Sequence, residues 1–251
     1  MDPVVGDLVD QQDELGNILQ TLDVAQWSTQ TRCVGWTVSD VVLHLAQSDQ
    51  MAIDSLNGHL GHGTAERAAG SPRPTNVDEL VASMVERERG LSPKRLLMRW
   101  TQTADNLIGT LNRMDLSRRV QWVAGDLSAR TLASTRLAET WIHASDVANA
   151  VGIELAPSDR LKHIARLAWR TLPYAFASAG LEMTGPVAFH LTAPDGSMWN
   201  FLPDQTVITT ISGSALELCE VAGRRLNAED SSLTGEGPDV ANVLSRARTY
   251  A

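Results

Sequence analysis

Glu139 and His143 lie four residues apart in residues 136–152, RLAETWIHASDVANAVG, a stretch that predicts a helix. At 3.6 residues per turn, this spacing puts a carboxylate and an imidazole on one helix face, one turn apart. Two side chains so placed can hold one divalent ion. Such pairs also occur as solvated or hydrogen-bonded neighbours, so a metal site needs a third ligand from another helix.

His44 is the candidate third ligand, because it stands in the apolar stretch VVLHLA, where an imidazole needs a polar partner. A histidine in such a stretch is usually a core residue with a satisfied hydrogen bond. Helical bundles, however, build metal sites from inward side chains on facing helices. Two histidines and one glutamate form a ligand set that leaves one position of a catalytic metal open.

Two aspartates lie near these ligands in the sequence. Asp146 follows Glu139 by seven residues on the same helix face, from which it could orient a ligand. Asp49 follows His44 by five residues, and its role is similarly open. Either aspartate could equally belong to a helix cap or an ion pair.

The acidic composition argues against a general nucleic-acid binder. The net charge is -9 and the pI is about 5.1, whereas such binders carry a basic patch or a high pI. The two cysteines, Cys33 and Cys219, make neither a disulfide framework nor a Cys-rich zinc site. The sequence opens without a basic-then-apolar signal, and no apolar run approaches the roughly 20 residues of a membrane span. We therefore expect a cytoplasmic protein without membrane or nucleic-acid partners.

Residues 1–155 are predicted to form an all-helical domain. Apolar spacing and capping signals predict helices over residues 4–22, 37–56, 76–89, 93–114 and 128–151. Thr37 and Asp40 resemble a capping box, and Ser128 is a predicted N-cap. Residues 57–75 are rich in Gly, Pro and Ala and predict a long loop of the kind that forms lids or stays disordered.

Residues 156–251 are predicted to form a second, α+β domain. Ser158 is predicted to cap a helix that runs to about residue 180, with a kink at Pro173. Residues 187–202 predict a β-hairpin around the turn PDGS, and residues 206–211 predict another strand. Helices are predicted over residues 214–226 and 238–250.

Several segments resemble the mycothiol-dependent maleylpyruvate isomerase family, within the DinB/YfiT-like metalloenzyme superfamily. They are residues 35–49 (GWTVSDVVLHLAQSD), 136–152, 191–201 (LTAPDGSMWNF) and 211–225 (ISGSALELCEVAGRR). The resemblance implies a multi-domain α and α+β fold. A DinB-like four-helix bundle that binds metal would occupy residues 1–155, and a small sterol-carrier-like α+β domain, residues 156–251, would cover the site. Residues 57–75 and 92–130 look closer to uncharacterised actinobacterial relatives.

The resemblance also implies a set of functional residues. His44, Glu139 and His143 would bind the metal, most often zinc, with nickel or iron as alternatives. The family uses mycothiol as a thiol cosubstrate and carries an arginine from the C-terminal domain near the cavity. Arg224 is the best match for this arginine, with Arg225 as the alternative, and it would clamp a substrate carboxylate. Asp146 is the other candidate catalytic residue.

The leading hypothesis is an enzyme that uses a divalent metal and a low-molecular-weight thiol. It would isomerise a small unsaturated carboxylic acid or transfer the thiol to it. A free thiol has a pKa of about 8.5 and reacts as the thiolate, which a bound divalent cation favours. Two other functions stay open: a metal hydrolase without thiol, using Asp146 or Asp49 as base, and a non-catalytic protein that binds an apolar ligand. Small-molecule substrate and thiol are the expected partners of a monomer or homodimer.

Overall fold

The described part of the first 155 residues is mainly helical. The computed structural model describes residues 1–60, 77–123 and 125–249, so most of the predicted loop over residues 57–75 lies outside the described residues. The described part of the unit Met1–Leu155 contains α1 (Pro3–Thr21), α2 (Val38–Leu56), α3 (Val77–Glu88), α4 (Pro93–Asn112) and α5 (Ala129–Ala150). A 3-10 turn, Gln26–Ser28, and two short antiparallel strands, β1 (Arg119–Val120) and β2 (Leu127–Ser128), lie between them.

Predicted capping residues begin the two helices that carry the candidate ligands. At α2, the Thr37 hydroxyl accepts a hydrogen bond from the Asp40 N–H, and the Asp40 carboxylate accepts one from the Thr37 N–H. At α5, the Ser128 hydroxyl accepts a hydrogen bond from the Thr131 N–H. Each cap satisfies backbone donors that the first helical turn leaves unpaired, and the predictions of both are confirmed.

Helix α2 is the centre of this unit, since it contacts α3, α4 and α5, while α1 contacts α4 and α5. Val41 and Leu45 of α2 pack in one apolar core with Trp100 of α4 and Val147 of α5. Sixteen of the 19 residues of α2 are buried, so its polar side chains also point into the protein. Buried polar groups need partners, and those of α2 therefore have to find them on neighbouring helices.

The second unit, Ala156–Tyr250, combines helices with a small mixed sheet. Its order is α6 (Leu161–Arg170), α7 (Leu172–Ser178), β3 (Val187–Thr192), β4 (Met198–Phe201), β5 (Thr209–Ser214), α8 (Ala215–Ala222), β6 (Thr234–Glu236) and α9 (Val240–Arg246). The sheet order is β4-β3-β5-β6, in which β3 and β5 are parallel and the other neighbours are antiparallel. The predicted hairpin is confirmed as β3 and β4.

The helix predicted from Ser158 to about residue 180 is wrong in two respects. Arg160 is the N-cap residue, without a side-chain cap, and the helix is divided in two at Thr171. Pro173 lies in the first turn of α7. A proline has no N–H and fits the first turn of a helix better than its interior, so the chain ends α6 and begins α7 instead of kinking.

Strand boundaries in the second unit also differ from the prediction. The strand predicted over residues 206–211 extends from Thr209 to Ser214. The residue before it, Ile208, donates its N–H to the Pro186 carbonyl. Strand β6 was not predicted, because its three residues are all exposed and carry no alternation of apolar and polar side chains. The last two predicted helices are shorter, as α8 and α9.

Candidate metal centre

The structure brings together the three predicted ligands from α2 and α5. Nε2 of His44 lies 3.3 Å from Oε2 of Glu139, and Nε2 of His143 lies 3.5 Å from the same oxygen. The two imidazole rings meet edge to face, with 4.8 Å between their centroids. Both histidine side chains are 9% exposed and that of Glu139 is 18% exposed, so the cluster is nearly enclosed.

The spacing of these donor atoms fits one divalent ion. Ligand atoms placed about 2.0 to 2.2 Å from a tetrahedral metal are about 3.3 to 3.6 Å from one another. The two distances to Oε2 fall in this range, and one donor atom from each of the three residues lies within 4.8 Å of the others. Two neutral imidazole nitrogens and one carboxylate oxygen suit zinc and similar first-row metals.

Asp146 lies on the opposite side of the His143 ring from Glu139. Its Oδ2 is 3.0 Å from Nδ1 of His143, and its side chain is fully buried. An Nδ1–H that donates to this carboxylate leaves the lone pair of Nε2 directed at the cluster. A carboxylate in this position fixes the tautomer and the orientation of a ligating histidine. Asp146 is therefore placed to orient the His143 ring. The groups within hydrogen-bond reach of its Oδ2, with which it could exchange a proton, are His143 and Cys33.

Cys33 and Arg32 surround the same carboxylate. The Cys33 thiol donates to Oδ2 of Asp146 at 3.2 Å and is 3.9 Å from Nδ1 of His143. Nε of Arg32 is 3.4 Å from Oδ1 of Asp146. Cys33, His143 and Asp146 thus form a second group whose atoms are close enough to hold an ion. In each of the two groups an arginine lies near the carboxylate, Arg32 beside Asp146 and Arg136 beside Glu139.

Burial, hydrogen bonds and nearby charges lower the pKa values of Glu139 and His44 and raise the pKa of His143. Burial raises the pKa of Glu139, but hydrogen bonds from His143 and His44 and the charge of Arg136 outweigh it and hold that pKa well below its usual value. Burial is also the main reason that the pKa of His44 is lowered. Burial lowers the pKa of His143, yet its hydrogen bonds, first of all to Asp146, raise it well above 6.5. Metal binds an ionised carboxylate and neutral imidazoles, so Glu139 and His44 are held in the forms that bind it, whereas His143 has to release a proton.

Sequence reasoning missed the residues that support the ligands. Trp36 packs on both histidines, with ring centroids 5.2 Å from His44 and 6.4 Å from His143. Arg136 of α5 is buried between Glu139 and Asp49. Its spacing of three residues before Glu139 was a usable signal, because side chains so spaced are neighbours on a helix. Trp36, Cys33 and Arg32 lie in a loop, where spacing predicts no neighbours.

The two arginines predicted for the catalytic role lie in the second unit, just after α8. Arg224 has a φ of 60° and its Nη1 donates to the Ser245 carbonyl at 3.0 Å. Nη1 of Arg225 donates to the Gly223 carbonyl. Arg224 is exposed and Arg225 is half-buried. The choice of Arg224 as the residue that meets a substrate stays a prediction.

A cavity of about 530 Å³ also lies within the second unit, and the residues that line it include Trp169, Arg170, Leu172, Pro186 and Val187. It is large enough for a small organic ligand.

None of the helices in the described ranges combines the length and the apolar character needed to cross a membrane.

Comparison with protein families identifies the chain's relatives. The family model of the mycothiol maleylpyruvate isomerase N-terminal domain matches residues 8–148, which is more than half of the sequence. The chain therefore belongs to this family, and the resemblance inferred from the motifs is confirmed. The matched segment contains all three candidate ligands and Asp146.

Curated relatives and solved structures extend the likeness over nearly the whole chain. Two proteins of Mycobacterium tuberculosis, from strains CDC 1551 / Oshkosh and ATCC 25618 / H37Rv, are each 29% identical over 250 residues, covering 99% of this chain and 95% of theirs; both are described as uncharacterised. The crystal structure of the mycothiol-dependent maleylpyruvate isomerase matches with a TM-score of 0.60, and that of its histidine-to-alanine variant with 0.58. Each is 20% identical and covers 94% of this chain and 93% of that chain, so the likeness shows the fold.

Proposed function

We propose that this protein is a metal-dependent enzyme that uses mycothiol to isomerise a small unsaturated carboxylic acid, or to add the thiol to it. The observation that carries the proposal is the convergence of His44 Nε2 and His143 Nε2 on one oxygen of Glu139. Family membership supplies the thiol and the reaction class. The proposed architecture is a DinB-like four-helix bundle followed by a sterol-carrier-like domain, with zinc as the proposed metal.

Each residue near the cluster has a definite task in this proposal. His44, Glu139 and His143 hold the ion, and Asp146 orients His143 through Nδ1. When bound, a divalent cation with three protein ligands supplies an open position that favours the thiolate form of a thiol. Trp36 covers the two imidazoles and limits the access of water. Arg224 would neutralise the substrate carboxylate, as guanidinium groups do in carboxylate recognition.

An assay of thiol dependence tests the proposal directly. The zinc-loaded protein is mixed with maleylpyruvate, and loss of the cis isomer is followed with mycothiol, with another low-molecular-weight thiol, and without thiol. We expect turnover that requires mycothiol and disappears in Glu139→Gln, which keeps the shape of the side chain but removes its charge. Turnover of an ester or amide without thiol, in place of isomerisation, would favour the hydrolase and contradict the proposal.

Binding of an apolar ligand in the second unit is the second candidate function, and the cavity favours it. Arg170 also lines this cavity, and its guanidinium offers a positive charge to the carboxylate of such a ligand. The Trp169 indole N–H donates to the Val187 carbonyl at 2.7 Å, and both residues line the cavity. The NMR signal of this N–H is therefore sensitive to a ligand bound in the cavity. A saturable shift of its NMR signal with decanoate, weakened in Arg170→Gln but not in Arg166→Gln, would support this function; no shift would exclude decanoate-like ligands.

A further inference from the structure

Arg136 and Asp49 form a buried ion pair beside the candidate metal centre. Arg136 belongs to α5, three residues before Glu139, and Asp49 belongs to α2, five residues after His44. Nε of Arg136 is 3.2 Å from Oδ1 of Asp49, and the two side chains are 3% and 0% exposed. Neither Asp49 oxygen has a hydrogen-bond partner among the described residues. The charge of Arg136 is therefore what compensates this carboxylate.

The same guanidinium also faces Glu139. Nη2 of Arg136 is 3.8 Å from Oε2 of Glu139, which is beyond the about 3.2 Å of an N–H···O hydrogen bond. Oε2 is the oxygen on which both histidine Nε2 atoms converge. A guanidinium that moved onto this oxygen would form a strong charge-assisted hydrogen bond with it. It would then compete with a divalent cation for the one oxygen that both histidines share.

We infer that Asp49 is a positioning residue that holds Arg136 back from Glu139, so that Oε2 stays available to a divalent cation. The inference rests on the proposed metal centre and deepens it. Attraction between charges is strong where water is largely excluded and weakens with distance, so the guanidinium of Arg136 interacts more strongly with the nearer of the two carboxylates. At 3.2 Å against 3.8 Å, Asp49 is the nearer of the two. In this role Asp49 acts only through Arg136.

Zinc affinity of the metal-free protein, measured by competition with a chromogenic chelator, tests this role. Asp49→Asn removes the charge and keeps the shape, and we expect it to weaken zinc binding by about 10- to 100-fold, as changes around metal ligands do. Asp49→Leu combined with Arg136→Met removes the pair and the competitor together. Apolar residues of similar volume can replace a buried ion pair, so this double variant should fold and bind zinc within about threefold of the wild type.

Arg89→Met is the matched control, because Arg89 pairs with another buried aspartate of α2, Asp40, at 2.8 Å. It should leave zinc affinity unchanged, and thermal unfolding in EDTA verifies that every variant is folded. Unchanged affinity in Asp49→Asn, or a double variant as weak as Asp49→Asn, would overturn the inference. A folded wild-type protein without zinc affinity would overturn the proposed metal centre itself, which separates the two failures.

Discussion

The two units differ in what they bury. The first unit buries five charged or titratable residues around Glu139, namely His44, Asp49, Arg136, His143 and Asp146. His44, Arg136 and His143 each approach the same oxygen of Glu139, Oε2. In the described part of the second unit, the buried polar residues are Thr209, Asp239 and Thr249. Asp239 there accepts two hydrogen bonds from Thr184, which fastens one loop. Buried charge in the second unit thus serves local structure, whereas in the first it surrounds the proposed cation site.

Removal of the Glu139 carboxylate, whose Oε2 lies near both histidines, should have the largest effect on metal binding in the first unit. Glu139→Ala deletes the carboxylate oxygen that lies 3.3 Å from Nε2 of His44 and 3.5 Å from Nε2 of His143. We expect zinc affinity to fall by more than about 100-fold, beyond the 10- to 100-fold typical of outer residues. Elemental mass spectrometry of purified protein measures the loss. Glu154→Ala, at an exposed position just beyond α5, is the control, and equal zinc content in the two variants would refute the ligand assignment.

The buried charge of the first unit should also be visible in the stability of the metal-free protein. Burial raises the pKa of Asp49 from 3.8 to about 6, because it outweighs the nearby Arg136. A folded-state pKa above the unfolded one gives stability that is complete below about pH 3.8 and is lost as pH rises through 6. At 1.36 kcal/mol per pKa unit, the wild type should lose about 2 kcal/mol relative to Asp49→Asn between pH 4 and pH 7, out of about 3 kcal/mol over the whole titration. Denaturant unfolding in EDTA measures this, and parallel pH profiles would contradict it.

Asp146→Asn should have a smaller effect than loss of a ligand. The amide keeps the shape of the side chain but removes the charge that orients His143 through Nδ1. Zinc affinity is expected to fall by about 10- to 100-fold, the usual cost of changing the partner of a ligating histidine. Chelator competition measures the change. Asp204→Asn, an exposed position in the second unit, should bind zinc normally, and a normal Asp146→Asn protein would exclude the orienting role.

The smallest expected effect on metal binding comes from the buried carboxylate of the second unit. Asp239→Ala leaves the Thr184 N–H and hydroxyl without their acceptor, which should destabilise the protein by about 1 to 3 kcal/mol. Its zinc content, measured below the unfolding transition, should equal that of the wild type. Loss of zinc as well as stability in Asp239→Ala would contradict the proposal that Asp239 serves only the local structure of the second unit.

Local signals predicted most of the helices and the positions of the candidate ligands. Thr37 and Ser128 cap their helices through contacts within three residues, and spacing alone places Glu139 and His143 on one helix face. What could not be predicted depends on contacts between distant residues. Cys33 lies 113 residues before Asp146, and the ion pair of Asp49 and Arg136 joins two helices. Strand β6 forms because β5 offers it a partner, while its own exposed residues carry no strand pattern.

The measurement that tests the central claim most directly is zinc K-edge X-ray absorption of the loaded protein, before and after addition of mycothiol. Without thiol, the metal should have nitrogen and oxygen ligands at about 2.0 to 2.2 Å and no sulfur. With mycothiol, one sulfur should appear at about 2.3 Å, in the wild type and in Cys33→Ala alike. A sulfur ligand that is present without thiol and disappears in Cys33→Ala would place the ion with Cys33, His143 and Asp146, and would contradict the centre formed by His44, Glu139 and His143.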